Sequence, residues 1–198
     1  MSGLVCVTGR FQPVHDQHLE LFAMALREAE HLIVAVTNPD TGARHPEPTS
    51  AHRHLPVANP FTFYERARLL QTALAARGWA DRTTIVTFDL TRPATWTEYV
   101  PIHARQFVRA YSAWERDKAA RLGEAGYPVT VLDGDPATRV SASDIRARFD
   151  GGWEQLVPAS VVPLLGELLA EHDRTAPVRE QVTVRDRVPA GPSREATA

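Results

Sequence analysis

The pattern of apolar and polar positions alternates between short buried strands and amphipathic helices. Residues 3–7 form an apolar run that is followed by Thr8 and Gly9, which predicts a buried strand. Apolar residues then recur at helical spacing over residues 19–26, and residues 32–36 form a second apolar run. A strand, a helix and a strand in this order predict a βαβ unit and therefore a parallel sheet.

The same pattern predicts the remaining elements. Thr62 with Glu65 three residues later is typical of a helix N-terminus, and this helix is expected to run to about Arg77. Further strands are predicted at 83–88, 107–111 and 129–132, and further helices at 96–105, 115–124 (a charged surface helix), 141–149 and 158–172. The predicted fold is a single α/β domain, a Rossmann-like, doubly wound, five-stranded parallel sheet with helices on both faces.

Two stretches break this pattern. Residues 38–60 contain five prolines and cannot form a regular helix or strand. An irregular segment of this length inside a compact domain is usually functional or mobile. From Arg174 onward the chain has no leucine, isoleucine or aromatic residue, so it cannot bury an apolar face. We therefore expect one folded domain over residues 1–173 and a disordered C-terminal tail over residues 174–198.

Composition narrows the classes of function. The 198 residues carry 22 Lys and Arg against 24 Asp and Glu, which argues against a polybasic surface for nucleic acid or anionic lipid. Cys6 is the only cysteine, which excludes an intrachain disulfide and cysteine-based zinc sites. The chain lacks a signal-peptide pattern and an apolar run long enough to span a bilayer. We expect a cytoplasmic protein without nucleic-acid or membrane partners, and the oligomeric state stays open, a homo-oligomer included.

The residues with chemical potential follow the first predicted strand. Ligands of open α/β sheets bind at the carboxyl ends of the strands, where Gly9 would let the backbone approach a phosphate closely. His15 and His18 lie three residues apart at the start of the next helix, whose N–H groups and dipole attract anions. The chain lacks both the G-x-G-x-x-G and the P-loop patterns. The turn after the first strand therefore predicts a phosphate site of another kind.

Four stretches in the same order resemble one superfamily. Residues 9–18 (the first signature) resemble the HxGH motif of nucleotidylyltransferases, and residues 140–146 (the second signature) resemble their Ser/Thr-rich turn ending in Ile-Arg. Residues 59–66 and 153–158 are similar to stretches of archaeal-type nicotinamide mononucleotide (NMN) adenylyltransferases. The sequence is identified as a member of the nucleotidylyltransferase superfamily on these matches.

The resemblance implies an enzyme, a cytidylyltransferase or an adenylyltransferase, in which an oxygen of an anionic acceptor attacks the α-phosphorus of a nucleoside triphosphate. It implies that His15 and His18 bind the α- and β-phosphates, that Ser141 and Ser143 bind the β- and γ-phosphates, and that His15, His18 and Arg146 are catalytic. The residues expected to contact the nucleotide are Gly9, Arg10, Phe11, His15, His18, Ser141, Ser143 and Arg146. Mg²⁺ is expected to bridge the phosphates with few protein ligands.

The chain departs from the family pattern at three places. Gln17 stands where HxGH has glycine, which adds bulk where a ligand normally passes close to bare backbone. Residues 111–116 replace a Ser-Gly-Asn-Pro stretch that lies near the nucleobase in the NMN enzymes. The segment 38–60 is longer and richer in histidine and arginine than its counterpart. We therefore expect altered recognition of the base and of the acceptor.

The acceptor and the base stay open between alternatives. Trp96 falls where the NMN enzymes place a tryptophan that stacks on nicotinamide, which favours ATP and NMN. The altered base region and the cationic segment favour CTP and a small phosphonate or phosphate acceptor, as in related enzymes of phosphonate antibiotic pathways. The residues expected to contact the acceptor are Arg44, His52, Arg53, His54 and Trp96, with His45 beside them. Gln17 also motivates a third alternative, a nucleotide-sensing protein without turnover.

Overall fold

Five parallel strands form the central sheet, which we describe from a computed structural model over residues 3–46 and 53–175. The strands are β1 (Leu4–Gly9), β2 (His31–Thr37), β3 (Thr83–Phe88), β4 (Arg105–Ala110) and β5 (Val129–Asp133). Their spatial order is β3-β2-β1-β4-β5, so the strand order reverses next to β1. This confirms the predicted doubly wound sheet and places the switch point, where such sheets bind ligands, between β1 and β4.

Helices cover both faces of the sheet. They are α1 (Asp16–Glu28), α2 (Phe63–Ala76), α3 (Trp96–Tyr99), α4 (Ala113–Glu124), α5 (Ala142–Arg146) and α6 (Val162–Thr175). One core lies on the side of α1, α2, α5 and α6, and a second core lies on the side of α3 and α4. Successive residues of β1 alternate between the two, with Val5 and Val7 in the first core and Cys6 in the second. None of the helices among the described residues is long and apolar enough to cross a membrane.

Local sequence signals explain most element boundaries. Thr62 caps α2, and its Oγ1 accepts a hydrogen bond from the N–H of Glu65, as the capping box predicts. The helix predicted at 96–105 ends at Tyr99, because Val100 precedes Pro101 and takes an extended backbone with φ −131° and ψ 114°.

The two C-terminal helices also differ from the prediction. The helix predicted at 141–149 is the shorter α5, and the helix predicted at 158–172 begins four residues later. The latter also runs on through Thr175, so Arg174 and Thr175 belong to α6 and not to the predicted tail. Residues 176–198 lie outside the described residues.

A buried arginine fastens the chain where β1 and β2 end. Arg66, on α2, has no exposed surface, and each of its five N–H groups donates a hydrogen bond to a main-chain carbonyl. Burial lowers its pKa to about 10, so the guanidinium is charged at neutral pH. The acceptors are the carbonyl oxygens of Arg10, Thr37, Asn38, Pro39 and Thr62, at 2.8–3.3 Å. One side chain therefore sets the path of the loops that leave both strands.

Gln12 makes a second tie between the same loops. It is 1% exposed, its Nε2 donates to the carbonyl of Phe61 at 2.9 Å, and its Oε1 accepts from the N–H of Phe61 at 3.0 Å. The loop after β1 is thus bonded to the loop before α2 in both directions.

Replacing Arg66 by methionine should destabilise the protein strongly. The substitution strips the bonds from five carbonyls, and breaking such a buried network costs about 3–5 kcal/mol. Urea unfolding followed by circular dichroism measures this loss. The matched control is Arg77→Met at the exposed end of the same helix, which should change stability by at most about 0.5 kcal/mol. Equal, small effects of both substitutions would contradict the role of Arg66.

Candidate active site

A cleft of about 670 Å³ opens at the carboxyl edge of the sheet, beside the switch point. Its walls come from the end of β1, the start of α1, the end of β4, the first turns of α4 and residues 136–144. Both signatures contribute to these walls although they lie far apart in the sequence. The fold thus brings the two stretches that carry the family resemblance to one site.

His15 and His18 lie at the start of α1 with their rings face to face. The ring centroids are 3.7 Å apart and the planes differ by 30°. The main-chain N–H of His15 donates to Nδ1 of His18 at 3.2 Å, so a neutral His18 carries its proton on Nε2. Both residues line the cleft, as predicted from the first signature. His18 can therefore offer one oriented N–H donor to an anion there.

Burial keeps both imidazoles uncharged in the cleft. It lowers the pKa of His15 to about 3, and the charges of Arg139 and Arg109 act in the same direction. Burial also lowers the pKa of His18 well below its usual value, with His15 and Lys118 adding to the effect. A bound anion would supply opposite charge and raise both pKa values. The histidines are therefore donors whose charge responds to what the cleft contains.

The absence of a side chain at Gly9 makes room for Phe11, since a Cβ there would lie 2.8 Å from Cζ of that ring. Gly9 also lines the cleft, and its predicted contact with a phosphate stays a prediction. Phe11 takes a left-handed φ of 50° and packs edge-on against His18, with ring centroids 4.8 Å apart. Although Phe11 borders the cleft, it is 2% exposed and chiefly supports the histidine.

Ser141, in the second signature, is the N-cap of α5. Ser141 Oγ donates to Asp144 at 2.6 Å and accepts from the N–H of the same residue at 3.2 Å. Both Ser141 and Ser143 line the cleft. Arg146 lies beside the cleft and not along its wall, because Nη1 donates to the carbonyl of Gln12 at 2.8 Å and Nη2 donates to Ser143 Oγ at 2.9 Å. In this arrangement Arg146 ties the two signatures together, and its predicted contact with phosphate stays a prediction.

Three cations line the cleft, the half-buried Arg10 and Arg53 and the buried Lys118, and the carboxylates among its described lining residues are Glu115 and Asp144. Arg10 donates through Nη1 to the carbonyls of Arg53 and Ala58, both at 3.2 Å. Burial, together with the neighbouring charges of Arg53 and Arg146, lowers the pKa of Arg10 to about 9. Together with Lys118 these groups create a strongly positive site, which favours an anionic ligand.

Lys118 is the site residue that the sequence analysis missed. It lies on α4, predicted to be a charged surface helix, yet it is 5% exposed and lines the cleft. Its Nζ donates to the carbonyl of Thr8 at 3.1 Å. Burial lowers its pKa to about 8, with Arg53 adding to the effect. Its spacing of four residues from Trp114 and from Leu122 puts it on the buried face of the helix, and this was the signal in the sequence.

Two departures from the family pattern touch each other. Gln17 donates through Nε2 to the carbonyl of Thr138 at 2.6 Å. Its Oε1 accepts from the N–H of Val140 at 3.0 Å and from the hydroxyl of Tyr111 at 3.1 Å. The Tyr111 ring lies against Gly134, where a Cβ would collide with it. Gln17 and Tyr111 therefore form one unit that ties α1 to the stretch leading into the second signature.

The predicted acceptor role of Trp96 is corrected by the structure. Trp96 is 2% exposed, belongs to the core under α3 and does not line the cleft. Its Nε1 donates to the carbonyl of Asp89 at 2.7 Å, and its ring packs against Phe88 with centroids 5.3 Å apart. The short α3 turns the ring inward, so it cannot stack on a ligand in the cleft.

The cationic segment brings one of its predicted residues to the cleft. Arg53 lines it, with Cζ 3.5 Å from the centroid of the Trp114 ring. Arg44 and His54 are half-buried outside the cleft walls, and His45 is exposed. The prediction for His52 lies outside the described residues.

Comparisons with known proteins agree with the two signatures. Residues 6–148 match the cytidylyltransferase-like family. The chain is 35% identical over 170 residues to a phosphonoformate cytidylyltransferase of Streptomyces viridochromogenes, covering 84% of this chain and 92% of the relative. It is 30% identical over 164 residues to a nicotinamide-nucleotide adenylyltransferase of Pyrococcus horikoshii, covering 81% of each chain.

A solved structure supports the fold. It is a bifunctional NMN adenylyltransferase/ADP ribose pyrophosphatase from Francisella tularensis, with a TM-score of 0.64 and 17% identity. The match covers 89% of this chain and 51% of the other, so the chain spans about half the length of that protein. The predicted resemblance is confirmed by the family match and the two relatives, and the chain belongs to the cytidylyltransferase-like family of nucleotidyltransferases.

Proposed function

We propose that the protein transfers cytidine monophosphate from CTP to a small phosphonate acceptor and releases pyrophosphate, as a step in the biosynthesis of a phosphonate natural product. The observation that carries this proposal is the group of cations that line the cleft beside the histidine pair, the half-buried Arg10 and Arg53 and the buried Lys118. A triphosphate and a compact, highly charged acceptor repel each other, and such cations offset that repulsion. The similarity to the phosphonoformate enzyme supports the same acceptor class.

Adenylyl transfer to NMN is the alternative. It is favoured by the 30% identity to archaeal NMN enzymes. However, NMN needs an aromatic contact for its ring, and the tryptophan assigned to that contact, Trp96, is buried in the core. The burial of Trp96 therefore favours the phosphonate acceptor.

The reaction depends on positioning of the two substrates more than on covalent catalysis by the protein. An oxygen of the acceptor, already ionised at neutral pH, forms a bond to the α-phosphorus while the bond between that phosphorus and the bridging oxygen breaks. Pyrophosphate leaves with the electron pair of that bond. His18 Nε2–H and His15 would donate to oxygens of the α- and β-phosphates, and Ser141 and Ser143 would donate further along the chain of phosphates.

Mg²⁺ belongs to this proposal as a charge carrier on the substrate. The carboxylates that line the described cleft are Glu115 and Asp144. Glu115 accepts from Ser112 and Arg139, and Asp144 is bonded to Ser141. The residues present thus fit a metal held by phosphates and water, which would neutralise part of the triphosphate charge.

A pyrophosphate-release screen tests the proposed function. It crosses ATP, CTP, GTP and UTP with NMN, phosphonoformate and methylphosphonate. We expect turnover of CTP with a phosphonate, and we expect His18→Ala to lower kcat at least about 100-fold because it removes an oriented donor to the transferring group. Turnover of NMN with ATP and none of CTP with phosphonates would favour the alternative. Nucleotide binding without any turnover would favour a sensing role.

Replacing Gln17 by glycine, the residue of the family pattern, should weaken triphosphate binding. The change removes three hydrogen bonds, two to the stretch before Ser141 and one to the Tyr111 hydroxyl, so the second signature should become less ordered. Each bond contributes about 0.5–1.5 kcal/mol, so we expect CTP affinity to fall about 10-fold and the melting temperature to drop. Isothermal titration calorimetry and thermal denaturation measure the two effects.

Tyr111→Phe is the matched control because it removes one of those three bonds and keeps the ring. It should lower CTP affinity by no more than about threefold. A Gln17→Gly variant with unchanged affinity and melting temperature would show that the bridge does not order the second signature.

A further inference from the structure

A compact subsite lies where β1 meets α4, at one end of the cleft. It consists of Lys118, Arg53 and Trp114, and we call it the Lys118 subsite. Lys118 and Trp114 are 5% and 7% exposed, and all three residues line the cleft. The Trp114 ring has the Arg53 guanidinium 3.5 Å from its centroid and Lys118 Nζ 5.5 Å from it. The subsite therefore has an aromatic wall and two cations.

The Lys118 ammonium has more donors than partners. It has three N–H groups, and among the described residues its hydrogen bond goes to the carbonyl of Thr8. A buried cation is costly unless its donors are satisfied and its charge is balanced. Glu115 is the nearby carboxylate that favours the charged lysine, but it is bonded to Ser112 and Arg139. A group that accepts from Lys118 and carries negative charge would supply what is missing.

The position of the subsite relates it to the acceptor. The groups assigned to the triphosphate lie at the starts of α1 and α5, whereas Lys118 reaches the cleft from α4. Lys118 is nevertheless close enough to His18 for its charge to lower the pKa of that imidazole. An acceptor that presents one oxygen to the α-phosphorus near His18 could therefore reach Lys118 with another part of itself.

We propose that the Lys118 subsite binds a second anionic group of the acceptor, a carboxylate close to the phosphonate phosphorus. This inference rests on the proposed function and states which part of the acceptor the Lys118 subsite recognises. The Arg53 guanidinium lies over the Trp114 ring beside Lys118, and its positive charge attracts a carboxylate to the same place. Lys118 adds a point charge from the floor of the subsite. An acceptor without the carboxylate would leave the ammonium underbonded and bind more weakly.

Two acceptors of similar size test whether the Lys118 subsite recognises the carboxylate or whether the cleft binds any phosphonate. Phosphonoformate carries the carboxylate, and methylphosphonate has a methyl group in its place. In the wild-type protein we expect phosphonoformate to have a KM at least about 10-fold lower than that of methylphosphonate. Lys118→Met should raise the KM of phosphonoformate about 10- to 100-fold, a factor at least about 10 times larger than its effect on the KM values of methylphosphonate and CTP.

Stability supplies a second readout. Because methionine removes a buried charge from an aromatic environment, Lys118→Met should keep or raise the melting temperature, as expected for a ligand-binding lysine. Arg116→Met on the exposed side of the same helix is the matched control and should change none of these values. If Lys118→Met does not fold, Arg53→Gln serves instead, with the same expected selective loss for phosphonoformate.

Binding measured without turnover keeps this inference apart from the proposed function. Calorimetry with both phosphonates in the presence of α,β-methylene CTP gives affinities even if no product forms. Preferential binding of phosphonoformate that disappears in Lys118→Met, without turnover, would refute the proposed function and support the subsite. Turnover in which the variant loses both phosphonates equally, or loses CTP, would support the function and overturn the subsite.

Discussion

The site depends on one buried guanidinium whose hydrogen bonds all go to main-chain carbonyls. Arg66 is stable in the interior because five main-chain carbonyls accept its hydrogen bonds, and these carbonyls belong to the loops after β1 and β2 and to the start of α2. These hydrogen bonds extend towards the cleft. Arg66 donates to the carbonyl of Arg10, and Arg10 in turn donates to the carbonyl of Arg53. Arg53 then lies over Trp114 in the cleft. A series of arginine–carbonyl bonds thus connects the core to the cations of the site.

Electrostatics and shape act together in this cleft. Burial and neighbouring cations hold His15 and His18 in their neutral forms, and an anion reverses that balance. The bridge from Gln17 to Tyr111 fills space that the family pattern leaves open and bonds it to the stretch before the second signature. Two of the three departures from the pattern are therefore in contact in one part of the cleft.

The fold and the location of the site followed from the sequence, whereas several roles did not. Apolar periodicity and the Thr62 capping box predict the strands and α2 because these signals are local. The two signatures predict a common cleft because carboxyl ends of parallel strands share one edge. The orientation of Trp96 depends on the short α3, which ends just before Pro101. The burial of Lys118 depends on how α4 packs against β1. Charge alone makes that helix look solvated, whereas the four-residue spacing of Lys118 from Trp114 and Leu122 indicates its buried face.

The central claim is that an acceptor oxygen attacks the α-phosphorus of the nucleotide in this cleft. Phosphorus NMR of a reaction with CTP and a phosphonate acceptor labelled with ¹⁸O on its phosphorus tests that claim most directly. The account predicts unlabelled pyrophosphate and a product with ¹⁸O in the bridge between its cytidylyl and phosphonate phosphorus atoms. Release of CMP or CDP, or a bridge oxygen that comes from the nucleotide, would contradict it.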